Sequence, residues 1–154
     1  MVKDLLKEEL IFNKVVVPSK TKNEAINIIS KLCSEQREID EKKLRDKFLE
    51  REDLSTTGFG DHVAIPHAKI DGLKEPFISI IRFEDGIPWE SLDDEDVKVA
   101  IALVMPNNDE ENLHLKIIAK FARKLMKDGF IENLLKDNSS DELYKYIIGE
   151  MGDE

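Results

Sequence analysis

Three histidines punctuate this chain, His62, His67 and His114, and a titratable imidazole is the side chain best suited to accepting and releasing a phosphoryl group near neutral pH. Of the three, His67 has the most suggestive surroundings. It follows Ile65-Pro66 at the end of a short extended run, where the fixed proline φ gives a stiff platform. The preceding loop, Ser55-Thr56-Thr57-Gly58-Phe59-Gly60-Asp61, offers hydroxyls and backbone N–H groups that could hold phosphate oxygens. Arg51 lies just upstream, and a guanidinium can engage two phosphate oxygens at once. Nucleophilic imidazole, hydroxyl-rich loop and arginine together make a phosphate site. The plainer alternative is an ordinary half-buried histidine, with Arg51 a solvated helix-end residue, because loops rich in Gly, Ser and Thr are common.

His114 falls at the start of a long apolar-striped segment, at the margin of the stripe. If that helix N-terminus points at His67, the second imidazole would contact the transferred group or hold the first ring; otherwise it is an edge-of-core histidine. His62 reads as a loop residue. A metal site built from the three histidines finds no support in spacing: His62 and His67 are five apart in an extended region and no H-E-x-x-H occurs. There is no Walker loop, no dinucleotide fingerprint and no G-x-S-x-G. The sequence therefore implies neither a cofactor nor a self-contained kinase, dehydrogenase or hydrolase.

Those residues need a scaffold, and the chain is long enough to build one. Its 154 residues suit a single domain over 1–150, with a tail, 151–154, expected to fray. A domain of this size buries roughly 70% of the surface that its unfolded chain exposes. The formal net charge of -10 is scattered, which disfavours nucleic acid as a ligand. Cys33 is the only cysteine and sits in a helical run, so it reads as a core filler and leaves no intrachain disulfide. No apolar run approaches the ~18 residues of a membrane span, and the charged N-terminus offers no signal-peptide core; a reducing cytoplasm is the expected compartment.

Periodicity supplies the elements. Lys14 to Pro18 reads as a strand, and capping-box spacing at Thr21 to Glu24 opens a helix to about residue 36. A second helix starts at Asp40. Val63 to Pro66 is extended, Phe77 to Phe83 and Val97 to Met105 are strands, and the latter has the nearly continuous apolar character of a buried central strand. Helices are predicted over 110–127, 130–135 and 140–148. Strands interleaved with helices predict an α/β fold, and two connections too short for a helical crossover predict a mixed β-sheet.

The stretch Arg51-Glu52-Asp53-Leu54-Ser55-Thr56-Thr57-Gly58-Phe59-Gly60-Asp61-His62-Val63-Ala64-Ile65-Pro66-His67 resembles the active-site segment of type 2 EIIA domains of the sugar phosphotransferase system, the fructose, mannitol and nitrogen types. Leu113-His114-Leu115-Lys116 and the following residues resemble that family's second-histidine helix, and the opening Leu5 to Ile11 and the late Phe130 to Leu135 also look like it. The resemblance implies a three-layer α/β/α sandwich around a mixed β-sheet. It implies phosphoryl transfer from phospho-HPr to Nε2 of His67, then to a cysteine of an EIIB partner, with membrane EIIC reached indirectly. By the same resemblance Arg51 matches the conserved arginine, Thr57 the threonine before the glycine turn, and His114 the second active-site histidine; Ser55 and Thr56 complete the expected phosphate loop. A regulatory nitrogen-type protein, whose phosphorylation state controls partners, is the alternative within the family. Ser55 and His62 stand where glycine is frequent, so the backbone at His62 is expected to be unusual. Sugar identity is not encoded, because in this scheme the protein never touches sugar.

Overall fold

The apolar run near residue 100 becomes the central strand of one sheet in the computed structural model, which describes residues 1–109 and 111–152. The strands are β1 (Leu6–Val15), β2 (Gly58–Gly60), β3 (Val63–Ala64), β4 (His67–Ile70), β5 (Phe77–Ile87) and β6 (Val97–Pro106). The sheet order is β1-β5-β6-β3-β2, with β4 also paired to β6. β5 runs antiparallel to β6, whereas β3 and β4 run parallel to it and β1 runs parallel to β5. The sheet is mixed, as the short connections required.

β6 is buried on both faces because each face carries a helical layer. Val99, Ile101, Leu103 and Met105 pack with residues of α1 (Val2–Leu5), α4 (Leu113–Leu125), α5 (Phe130–Leu135) and α6 (Ser140–Met151). Ala100, Ala102 and Val104 face α2 (Lys22–Arg37) and α3 (Glu41–Leu54). The period of two along β6 thus divides the core into two halves and gives three layers. On α4, Ile117, Phe121 and Leu125 recur at helical spacing and are buried. Helix starts follow local chemistry: Thr21 accepts from the Glu24 amide, Asp40 from those of Lys42 and Lys43, and Ser139 forms a capping box with Glu142. Cys33 is fully buried, and burial pushes its thiol up to about 12, so it is a packing residue.

Three expectations are corrected. The first strand is Leu6–Val15 and not residues 14–18: it pairs with β5 from Leu6 onward, Lys14 adopts a left-handed φ of 51° where the register shifts before Val15, and Val16 is left exposed. Charges at Lys7, Glu8 and Glu9 obscured the strand, but they lie exposed on an edge strand where charge is tolerated. The helix expected from Glu110, which lies outside the described residues, begins at Leu113 after Asn112 takes a left-handed φ of 53°. The tail does not fray where expected: α6 continues to Met151, whose side chain is fully buried against the sheet, while residues 153 and 154 lie outside the described residues.

Arg82 on β5 ties the C-terminal layer to the sheet. Its guanidinium donates to Asn13 Oδ1, to the carbonyls of Lys136 and Asn138, and to Asn138 Oδ1, all within 2.7–2.8 Å. Burial lowers its pKa, with Asp137 and Glu142 opposing. Arg82→Met would leave these acceptors without a donor in a largely dry site. The expected cost is about 3 kcal/mol, a fall of roughly 6–12 °C in Tm for a chain of this size; an unchanged melting curve would show that the link between α5 and α6 is held by packing alone.

Candidate functional site

His67 is placed by the strand that precedes it. Pro66 cannot donate to the ladder, but its carbonyl accepts from the Leu103 amide at 2.9 Å, so the register of β3 against β6 passes unbroken into β4. His67 Nδ1 lies 3.0 Å from the carbonyl oxygen of Ile65. A carbonyl only accepts, so the neutral ring carries its proton on Nδ1 and its free lone pair on Nε2. That lone pair accepts a hydrogen bond from Arg51 Nε at 2.9 Å. Burial is the main influence on the ring and lowers its pKa; the bond to Ile65 opposes this, and Arg51 and His114 add to the lowering. The result at neutral pH is an unprotonated nitrogen nucleophile.

Arg51 stands in the last turn of α3, where a cation is favoured by the helix dipole. Its Nη1 donates to the Ser55 carbonyl at 2.8 Å and reaches Ser55 Oγ at 3.5 Å, so one edge of the guanidinium grips the loop while the other meets His67. The next residue points the other way. Glu52 is buried, and its carboxyl oxygens accept from the Thr57 amide at 2.9 Å, Thr57 Oγ1 at 2.5 Å, Thr56 Oγ1 at 3.1 Å and Trp89 Nε1 at 2.9 Å. The loop is drawn tight against residue 90: the single hydroxyl proton of Thr56 is shared between Glu52 and the Glu90 carbonyl oxygen, which lies 2.5 Å from Oγ1, and a Cβ at Gly58 would collide with that carbonyl oxygen.

His114 is the second residue of α4, and its ring centroid lies 6.1 Å from that of His67 with the planes tilted by 34°. Its Nδ1 sits 2.6 Å from Asp109 Oδ2. The two rings, Arg51, Leu54, Lys69 and Asn107 line an open depression of about 670 Å³. A neutral nitrogen nucleophile beside a guanidinium and a second imidazole can receive an electrophilic phosphorus and balance the charge on its oxygens.

The structure thus brings together His67, Arg51 and His114 as the sequence led one to expect. The hydroxyl loop faces elsewhere in this structure. Thr56 and Thr57, expected to offer hydroxyls to phosphate, give them to Glu52 and Glu90 instead, and neither these nor Ser55 lines the depression. They stiffen the loop that holds Arg51. His62 stays a loop residue: its φ of 69° is left-handed, its carbonyl accepts the Lys98 and Val99 amides, and its ring Nδ1 lies 2.8 Å from the Asp96 carbonyl. Glu52 and Asp109 went unnoticed in the sequence. Glu52 stands four and five residues before the threonines it holds, and Asp109 stands five before His114, but carboxylates abound in this chain and spacing alone does not select these two.

One open depression in a mixed-sheet α/β/α sandwich thus holds a lone-pair imidazole, a guanidinium and a second imidazole. The family model for "Phosphoenolpyruvate-dependent sugar phosphotransferase system, EIIA 2" matches residues 4–149, and the chain belongs to that family. It is 33% identical over 123 residues to the PTS system fructose-specific EIIA component of Haloferax volcanii, covering 79% of each chain. It is also 26% identical over 135 residues to the nitrogen regulatory protein of Pseudomonas aeruginosa, covering 87% of each. Among solved structures it shares its fold with a chain of the complex of enzyme IIAMTL and phosphorylated enzyme IIBMTL from Escherichia coli, with a TM-score of 0.73 and 22% identity, covering 94% of this chain and 97% of that one. Among the described residues, no helix is long and apolar enough to cross a membrane.

The lowered pKa of His67 has a definite sign. Its folded value lies below that of the unfolded chain, near 6.5, so its contribution to stability is complete above that value and is lost as pH falls through the folded one. Side-chain NMR titration is expected to place the His67 midpoint below 6.5 and, in Arg51→Gln, to move it upward. A wild-type midpoint above 6.5 would contradict this account of the site.

Proposed function

We propose that the protein is a phosphoryl carrier in which Nε2 of His67 attacks the phosphorus of phospho-HPr, breaking the donor's phosphorus–nitrogen bond and forming a new one. The carrying observation is the Nδ1–Ile65 hydrogen bond, which leaves Nε2 as the nucleophilic nitrogen. Arg51 Nε occupies that lone pair in the resting state, so the guanidinium must leave it as the new bond forms; the phosphoryl oxygens then give it a better acceptor. His114 flanks the same group. In the second step a cysteine thiolate of an EIIB partner attacks the phosphorus, the nitrogen–phosphorus bond breaks, and His67 returns to its neutral state. Likeness to the fructose-specific component supports a role in sugar uptake, and the fold shared with a chain of the complex of enzyme IIAMTL and phosphorylated enzyme IIBMTL supports an EIIB acceptor. The relationship to a nitrogen regulatory protein supports the second reading, a phosphorylation-dependent regulator with the same first step.

Intact-mass analysis after incubation with phosphoenolpyruvate, enzyme I and HPr is expected to show one acid-labile phosphoryl addition. His67→Ala should abolish it, whereas His114→Ala should still accept the group but pass it on at least tenfold more slowly. Full phosphorylation of His67→Ala would overturn the assignment. Discharge on adding a fructose-type EIIB favours transport, and a phosphoryl group that persists in its presence favours regulation.

A further inference from the structure

We propose that Asp109 is the positioning residue for His114, fixing the proton on its Nδ1 so that Nε2 can take a second proton and donate it in a hydrogen bond to the phosphoryl group on His67. This inference rests on the carrier reading above. The side chain of Asp109 is only 5% exposed, and both of its oxygens are occupied. Oδ1 accepts from the Leu113 amide at 2.8 Å, and Oδ2 accepts from the His114 amide at 3.1 Å and from the His114 ring at 2.6 Å. One carboxylate therefore caps α4 and holds an imidazole from the same helix turn. Asn112, which directly precedes the helix, makes no side-chain cap, so this anchoring falls to Asp109.

The proton in the 2.6 Å contact belongs to the ring. Burial raises the carboxyl pKa, but the bonds from His114 and the two amides outweigh it and hold Asp109 ionised. An ionised carboxylate only accepts, so Nδ1 is the donor. This leaves Nε2 as the one ring atom able to serve a ligand. Unprotonated, it would set a lone pair against phosphoryl oxygens; protonated, it donates to them. Charged and titratable groups of both signs share the depression with it, Lys47, Glu50, Arg51 and Asp53 from α3 and His67 and Lys69 from β4. The phosphoryl group brings negative charge to the front of the ring and Asp109 holds negative charge behind it, so a protonated His114 bridges the two. No covalent bond changes at His114; the proton comes from solvent and returns to it when the group leaves.

Asp109→Asn separates this role from capping alone. Its amide oxygen can still accept from the Leu113 N–H, but its NH₂ then faces the donors of His114, and the ring must move its proton to Nε2 to accept from it. Long-range ¹H–¹⁵N correlation on the unphosphorylated protein is expected to show His114 protonated on Nδ1 in the wild type and on Nε2 in the variant. Transfer from phospho-His67 to an EIIB cysteine is expected to slow at least tenfold in the variant, with no further loss when Asp109→Asn is added to His114→Gln. The proposal is overturned by an Nδ1-protonated His114 in the variant, by an unchanged transfer rate, or by an equal further loss in the His114→Gln background. Failure of the wild type to take up phosphate at all would instead remove the carrier reading, whatever the tautomer.

Discussion

The hydrogen bond from His67 Nδ1 to the Ile65 carbonyl is the contact on which the site, and with it the proposed carrier chemistry, depends. It spans two residues, yet it exists because of the sheet. β3 and β4 are one strand in register, interrupted at Ile65 and Pro66, and both halves are held by β6. The Pro66 carbonyl faces β6 and keeps the ladder, while Ile65 faces the other way, its amide on the Thr57 carbonyl and its own carbonyl on the ring. A tautomer, and with it the ring nitrogen that keeps a lone pair, is thereby fixed by backbone placement. β6 can serve as that template because it is buried on both faces and its register is set by apolar residues on each.

Two buried carboxylates organise the surroundings. Glu52 collects four donors from the loop and from Trp89, and so fixes the segment against which Arg51 rests; Asp109 collects two amides and an imidazole, and so fixes the start of α4. Neither lines the depression, yet each settles the position of a residue that does. A buried carboxylate is suited to this, because it accepts several hydrogen bonds at once and its desolvation is costly unless all of them are made. The conformations it tolerates are correspondingly few. Arg51 and Glu52, adjacent in sequence, diverge because successive helix positions are about 100° apart, so one reaches the depression and the other the interior.

Much of the architecture was legible where a local signal and burial agree. Thr21, Asp40 and Ser139 start helices as their side chains dictate, and the apolar run of β6 is the covered central strand that its composition suggested. Legibility failed where a tertiary contact overrode the local pattern. The charged face of β1 is stable because it lies at an edge, and Met151 keeps α6 going because a core awaits it. The left-handed turns at Lys14 and Asn112 shift element boundaries at residues whose types do not demand them.

The sequence by itself determined the chemical cast. An imidazole after a proline, an arginine sixteen residues upstream and a second imidazole at a helix start supply the groups a phosphate site needs, and the ordered resemblance of Arg51 to His67 to the EIIA 2 family singles them out from ordinary histidines. Only the tertiary structure decided what each group faces. It set the two rings 6.1 Å apart, gave the free lone pair of His67 to Nε2, turned Thr56 and Thr57 away from ligand duty toward Glu52, and placed Asp109 behind His114. Hydroxyls and carboxylates are versatile partners, and the one each meets is fixed by packing between elements that the local sequence does not specify.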